Sequence, residues 1–270
     1  MKRLRSRALN GETLFGCVLN LGSSISSEMV GQAGFDWVLI DLEHGAGGEG
    51  ELVSQLQAVQ HTPAAAIVRV ESTERQRINR ALDLGADGIM VPRIDTCEQA
   101  QAVSAALQFP PNGTRGVAKM NRAYGFGPHF KSYLEHAREN LLSMVQIESD
   151  TSLRNLEEIA STPGIDVVFV GSSDLSYSMG IPFDLQHPRF QSALKQVAEA
   201  ARHYGKIAGI KIGDSEELER YLELGYRFIA CGSDGDLLFQ NACKLASKLR
   251  KDRGGHGGLQ PHNNFGSIRV

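Results

Sequence analysis

Short apolar, β-branched runs alternate along this chain with longer segments of helical period. The runs span 14–19, 37–41, 66–70, 88–91, 143–148, 167–170, 208–212 and 228–231. The helical segments between and after them span 27–33, 49–60, 73–84, 97–107, 150–161, 188–204, 215–224 and 234–251. Apolar runs this short read as strands, and the periodic segments are long enough for helices. Eight strand–helix pairs in about 250 residues predict an α/β protein of the TIM (β/α)8 barrel class. The punctuation agrees: Ala33-Gly34-Phe35-Asp36, Leu84-Gly85-Ala86-Asp87, Thr162-Pro163-Gly164-Ile165-Asp166 and Leu224-Gly225-Tyr226-Arg227 each end a helix and start a strand. Their glycines supply left-handed C-terminal caps.

One connection is too long for this scheme. Residues 109–141 carry Pro110-Pro111-Asn112-Gly113-Thr114-Arg115-Gly116 and Tyr124-Gly125-Phe126-Gly127-Pro128, then a helical piece over 130–140. Long glycine-bearing insertions are usually functional or interfacial, so this one is expected to shield an active site. Arg122, Tyr124 and Phe126 are candidate substrate contacts, from this subunit or a neighbour. Residues 1–253 are expected to form a single barrel domain. Residues 254–270 are Gly/Asn/His-rich without periodicity and are expected to be a flexible tail, although His256 and His262 invite a metal reading.

Composition narrows the partners. The chain has 270 residues, 41% hydrophobic and 22% charged, which is ordinary for a soluble globular protein. A net charge of −3 gives no electrostatic case for nucleic acid. The four cysteines, Cys17, Cys97, Cys231 and Cys243, show no C-x-x-C spacing, which disfavours a disulfide framework or a zinc cluster and fits a reducing cytoplasm. The basic start, with Lys2, Arg3, Arg5 and Arg7, is not followed by an apolar signal core and reads as a solvated end. No apolar run approaches the roughly 18–20 residues of a membrane span.

In a TIM barrel, chemistry collects where the strands end. Those ends carry Asp41-Leu42-Glu43-His44 after the second strand, Arg69 on the third, Pro92-Arg93 after the fourth, Glu148 on the fifth, Asp174 beyond the sixth and Lys211 on the seventh. Adjacent strands lie about 5 Å apart, so Glu148 and Asp174 open on one rim. Two hard oxygen ligands there suit a divalent ion such as Mg²⁺ or Mn²⁺, with waters left for a substrate. Each residue also has a plainer reading. Arg69 can be an ion pair to Glu71, Glu43 or Asp41, His44 can cap a loop, and Glu148 and Asp174 can bond helix N-termini. Asp41 and Glu43 flank His44 and can orient its imidazole. Convergence of all of them on one rim favours a functional site.

These residues carry a resemblance. Gly34-Phe35-Asp36-Trp37-Val38-Leu39-Ile40-Asp41-Leu42-Glu43-His44-Gly45 resembles the signature of the HpcH/HpaI family of metal-dependent class II aldolases. So do Val68-Arg69-Val70, Gly113-Thr114-Arg115-Gly116, Val145-Gln146-Ile147-Glu148 and Gly171-Ser172-Ser173-Asp174-Leu175-Ser176. The resemblance covers about residues 13–250. It implies that Glu148 and Asp174 hold a divalent ion (Mg²⁺, Mn²⁺ or Co²⁺), that Arg69 stabilises a pyruvate enolate, and that His44 is the acid/base. It further implies that Asp83 supports His44, that Gln146 lies close to the substrate, and that the backbone of Gly171, Ser172 and Ser173 receives the pyruvate carboxylate. Where the family commonly has Gly-Pro-x-Asp, this chain has Gly171-Ser172-Ser173-Asp174. Losing proline frees φ there and touches substrate preference more than the ligand. A homo-oligomer, hexamer or trimer, is implied as well.

The implied activity is cleavage or formation of 4-hydroxy-2-oxo acids from pyruvate and an aldehyde. The enolate formed needs a Lewis acid and fixed positive charge, and the C4 hydroxyl needs a base titrating near neutrality. The alternatives are an oxaloacetate decarboxylase or macrophomate-synthase-like enzyme using the same site, a class I aldolase working through Lys211, and a barrel kept as a binding or scaffold protein.

Overall fold

A computed structural model describes residues 4–252, and the 254–270 tail with His256 and His262 lies outside the described residues. The strands are β1 (Leu14–Leu19), β2 (Trp37–Asp41), β3 (Ala65–Arg69), β4 (Gly88–Val91), β5 (Leu142–Ile147), β6 (Val167–Val170), β7 (Ile207–Ile212) and β8 (Phe228–Ser233). They are parallel, pair in sequence order and close when β8 meets β1, so the α/β TIM-type barrel is the fold. Around it run α1 (Leu4–Leu9), α2 (Ser24–Gln32), α3 (Glu49–Gln60), α4 (Arg75–Asp83), α5 (Cys97–Ala106) and α6 (Phe130–Asn140). They are followed by α7 (Asp150–Arg154), α8 (Leu156–Ser161), α9 (Ser172–Ser178), α10 (Pro188–His203), α11 (Leu218–Leu224) and α12 (Asp234–Asp252).

Alternation along each strand builds two cores. Inward residues such as Leu14, Leu39, Ile67, Met144 and Phe169 fill the barrel, and outward ones such as Val38, Val68, Ile89 and Val168 meet the helices. Trp37 is fully buried and stacks on Phe228 with ring centroids 4.3 Å apart. A Cβ at Gly16 would collide with the Trp37 ring, which is why β1 carries a glycine opposite so large a side chain.

Two helices were not legible in the hydrophobic pattern. The basic start is not simply solvated: α1 buries Leu4 and Ala8 against the barrel's inner core. Arg5 ties it down through Asp166, just before β6, with bonds of 3.0 and 2.9 Å, and Arg138 of α6 reaches the same carboxylate at 3.2 Å. The other is α9, inserted between β6 and α10. Smaller differences have local causes. Helix α2 starts earlier than its apolar period because Ser23 caps it, accepting from Ser26 N–H. The 150–161 segment breaks at Asn155, whose amide bonds the Asp95 carbonyl at 2.7 Å.

The long connection does not cover this chain's own rim. It runs down the side of α4, from Arg75 donating to the Thr114 carbonyl (3.3 Å) to Arg122 donating to the Leu84 carbonyl (2.6 Å). Arg115 is buried in it, its guanidinium over the Phe109 and Tyr133 rings and bonded to Tyr133 Oη and Asp83. Tyr124 is fully buried against Phe130 and Tyr133. Aromatic and cationic side chains here are consumed in packing the connection itself. Arg122 and Tyr124 therefore do not line this chain's own strand-end rim, and Phe126 is exposed beside them.

Candidate active site

The period of two that fills the barrel also brings its polar residues to the upper end. Inward positions on β2 run Trp37, Leu39, Asp41; on β3, Ala65, Ile67, Arg69; on β5, Leu142, Met144, Gln146, with Glu148 next. Asp41 and Arg69 are register partners. Arg69 grips both oxygens of Asp41, Nε to Oδ1 at 2.9 Å and Nη2 to Oδ2 at 2.7 Å, a two-pronged ion pair. Its Nη1 lies 3.2 Å from Glu43 Oε2 and 3.4 Å from Gln146 Oε1. Gln146 donates its amide to Glu148 Oε2 at 3.0 Å, so one amide links the cation to the carboxylate and its orientation is determined by both neighbours. The other Glu148 oxygen accepts the Arg93 backbone N–H at 2.6 Å.

Glu148 is 5% exposed. Burial pushes its carboxyl up to about 7, and the nearby negative charges of Asp174 and Glu43 add to that, against the Arg93 N–H and Arg69. Burial likewise raises Glu43. Burial would also raise Asp41, but the Arg69 fork overrides it and holds Asp41 below the usual range. A Cβ at Gly171 would collide with Glu148 Oε2, so this glycine is what allows the β6 end to pass so close to the carboxylate. Asp174 stands on the first turn of α9, exposed, with its charge felt at both Glu148 and Glu43.

His44 is 63% exposed, with Nε2 at 3.6 Å from Glu43 Oε2 and its backbone N–H on Asp41 Oδ1 at 3.3 Å. The structure thus brings His44, Arg69, Gln146, Glu148 and Asp174 to one rim, with Gly171, Ser172 and Ser173 opening α9 beside them. It does not bring Asp83 to His44. Asp83 closes α4, at the opposite end of the barrel wall, and its carboxylate accepts from Arg115 at 3.2 Å. Lys211 lies 3.9 Å from Asp236.

The family model for HpcH/HpaI aldolase/citrate lyase matches residues 14–241, the whole barrel and the start of α12. This chain belongs to that family. Among its relatives, a 5-keto-4-deoxy-D-glucarate aldolase of Klebsiella pneumoniae is 39% identical, over 87% of this chain and 92% of that one. A hydroxypyruvate/pyruvate aldolase of Chromohalobacter salexigens is 38% identical, over 90% of this chain and 96% of that one. The crystal structure of an HpcH/HpaI aldolase/citrate lyase family protein from Burkholderia cenocepacia, 36% identical, superposes with a TM-score of 0.88 over 93% of this chain and 100% of that one.

A divalent ion fits the donor set that this family member presents. Glu148 and Asp174 are hard oxygen donors, and Asp41, Glu43 and Glu148 act on the one Arg69 guanidinium, while the charges of Asp174 and Glu43 add to the burial that raises Glu148. Among the described residues no group of three His, Cys, Asp or Glu side chains is arranged to hold an ion alone. A pair of carboxylates would leave the remaining positions of such an ion to substrate and water oxygens. Asp41 and Glu43 matter more than their place beside His44 suggested, because both grip Arg69. An ion pair from Arg69 to Asp41 or Glu43 was open in the sequence, but the run 66–70 would set Asp41 opposite Val70, whereas β3 at Ala65–Arg69 sets it opposite Arg69. The Arg93 N–H had no sequence signal, because any residue but proline supplies one.

Proposed function

We propose that this chain is a class II pyruvate aldolase, a carbon–carbon lyase that cleaves or forms 4-hydroxy-2-oxo acids through the enolate of pyruvate. The observation that supports it most is the buried, charge-crowded Glu148 beside Asp174, with Arg69 linked to Glu148 through Gln146. Glu148 and Asp174 would hold a divalent ion, Mg²⁺, Mn²⁺ or Co²⁺, which supplies Lewis-acid stabilisation of the enolate oxygen when bound. Arg69, held rigid by Asp41 and Glu43, places fixed positive charge where that oxygen becomes negative, so no reorganisation is needed as charge grows. Gln146 keeps the arginine and the carboxylate in one orientation. The backbone of Gly171, Ser172 and Ser173 takes the pyruvate carboxylate in this reading. His44, exposed beside Glu43, would accept the proton of the C4 hydroxyl in cleavage and return it in synthesis.

Self-association belongs to the same reading. Residues 236 to 250 of α12 are all exposed, including Leu237, Leu238, Phe239, Leu245 and Leu249, and Ile25 and Met29 of the neighbouring α2 are exposed as well. So much apolar surface on one side supports a homo-oligomer, trimer or hexamer. No described helix is long and apolar enough to cross a membrane. Four free thiols support a reducing cytoplasm as the compartment.

The test is pyruvate release from a panel of 4-hydroxy-2-oxo acids and oxaloacetate, first with EDTA, then with Mg²⁺, Mn²⁺ or Co²⁺ restored. Metal-restored cleavage of a hydroxy-oxo acid, lost in Glu148→Ala and Asp174→Ala, is the expected result. Turnover that ignores EDTA and is trapped by borohydride would move the chemistry to Lys211. Metal-dependent turnover of oxaloacetate alone would make the enzyme a decarboxylase.

A further inference from the structure

Among the described residues, three other than glycine have a left-handed backbone: Arg93 at φ 54°, Phe126 and Phe183. A side chain makes that conformation costly, and it persists only where the surroundings over-determine it. The Phe126 and Phe183 amides go to the Asn121 carbonyl and Ser176 Oγ, whereas the Arg93 N–H goes to Glu148 Oε1 at 2.6 Å. The turn after β4 that contains Arg93 is tied down on its far side. Ile94 is fully buried, and its N–H reaches the Gln146 carbonyl at 3.3 Å, longer than most N–H···O bonds. Asp95 makes the firmer attachments. Ser149, the residue after Glu148, donates its hydroxyl to Asp95 Oδ1, and the Asn155 amide donates to the Asp95 carbonyl at 2.7 Å. Asn155 makes that bond from the break between α7 and α8.

We propose that Asp95 and Asn155 are positioning residues for Glu148: they hold the strained turn whose main-chain N–H sets that carboxylate to receive a divalent ion. The proposal rests on the reading of Glu148 as a metal ligand. Val91 and Pro92 are buried on one side of Arg93 and Ile94 on the other. Relief of the Arg93 φ is therefore taken up by the amides between them, and one of these is the donor to Glu148. A carboxylate that loses such a partner keeps its charge but not its orientation, which costs metal affinity.

The experiment is titration calorimetry of the full chain with Mn²⁺, with Glu148→Ala as the reference for loss of the site. Asn155→Ala is expected to raise the Kd about tenfold. Asp95→Ala leaves the helix break untouched, is expected to do the same, and serves where Asn155→Ala does not fold. Adding Arg93→Gly to either variant brings the Kd most of the way back to the wild-type value, since glycine takes a positive φ freely and keeps the N–H. Adding Arg93→Ala does not, because alanine removes the guanidinium and leaves the strain. A Kd that neither Asn155→Ala nor Asp95→Ala changes, or one that Arg93→Gly recovers no better than Arg93→Ala, overturns the proposal, while loss of binding in Glu148→Ala keeps the metal reading standing. Absence of Mn²⁺ binding, or binding that Glu148→Ala leaves unchanged, overturns both.

Discussion

Replacing Arg69 by lysine keeps a positive charge but removes the fork that Asp41 grips at 2.9 and 2.7 Å. A point charge on a flexible stem cannot also reach Glu43 and Gln146 in fixed geometry. Arg69→Lys should therefore lower kcat by about 10²–10³-fold, the usual cost of losing a preorganised oxyanion donor. A kcat within a factor of two of wild type would remove Arg69 from the charge-stabilising role. Gly171 offers a complementary test. Its φ of −86° lies outside the left-handed region, so the effect of Gly171→Ala comes from a Cβ that would collide with Glu148 Oε2 and Cβ and crowd Gln146 Nε2. The expected result is a metal Kd raised roughly 10–100-fold, as when a group orienting a ligand is lost, together with a lowered melting temperature, since the Glu148 Cβ must also give way. Titration calorimetry with Mn²⁺ would show it. The rim positions of Glu148, Asp174 and Arg69 were legible in the sequence because each ends or closely follows a strand-like run. Asp83 lies away from His44 within one chain because a motif gives spacing along the chain and not the end of the barrel on which a helix stops.

At the scale of elements, α1 shows why part of the fold was hidden. Six residues with two buried positions make no period long enough to detect, and the helix owes its place to tertiary contacts, Leu4 and Ala8 in the inner core and Arg5 on Asp166. Burial would raise the Asp166 carboxyl, but Arg5 and Arg138 override that and hold it below its ordinary value. A group whose folded value is depressed stabilises fully above its unfolded pKa, about 3.9 for Asp, and loses that contribution as pH falls through the folded value. Asp166→Ala should thus cost about 3–5 kcal/mol at pH 7, since two guanidiniums and the Ser143 N–H lose their acceptor. Urea melts at pH 7 and pH 3 should show the gap shrinking at the lower pH. A gap of equal size at both would mean that the Asp166 charge contributes nothing. The helices that repeat the strand–helix rhythm were legible for the opposite reason: α2, α4, α10 and α11 join a helical period to a glycine stop at Gly34, Gly85, Gly205 and Gly225, so pattern and packing agree.

For the molecule as a whole, eight repeated units made the barrel legible, and α12 made its surface hard to foresee. Its helical period is plain, yet period does not say against what a helix packs, and α12 leaves its apolar residues in solvent. A charged pair on that face, Leu238→Glu with Phe239→Glu, should convert an assembly into a species near 29.4 kDa in sedimentation velocity. A wild-type chain already at that mass would end the oligomer proposal. The bond from the Arg93 N–H to Glu148 has a different kind of consequence. A main-chain donor survives every substitution at its position except proline, so position 93 can change its side chain while the carboxylate keeps its tether. Such a position lets a lineage explore new substrates without rebuilding its reaction centre, and a saturation library there would search for specificity at little risk to the chemistry.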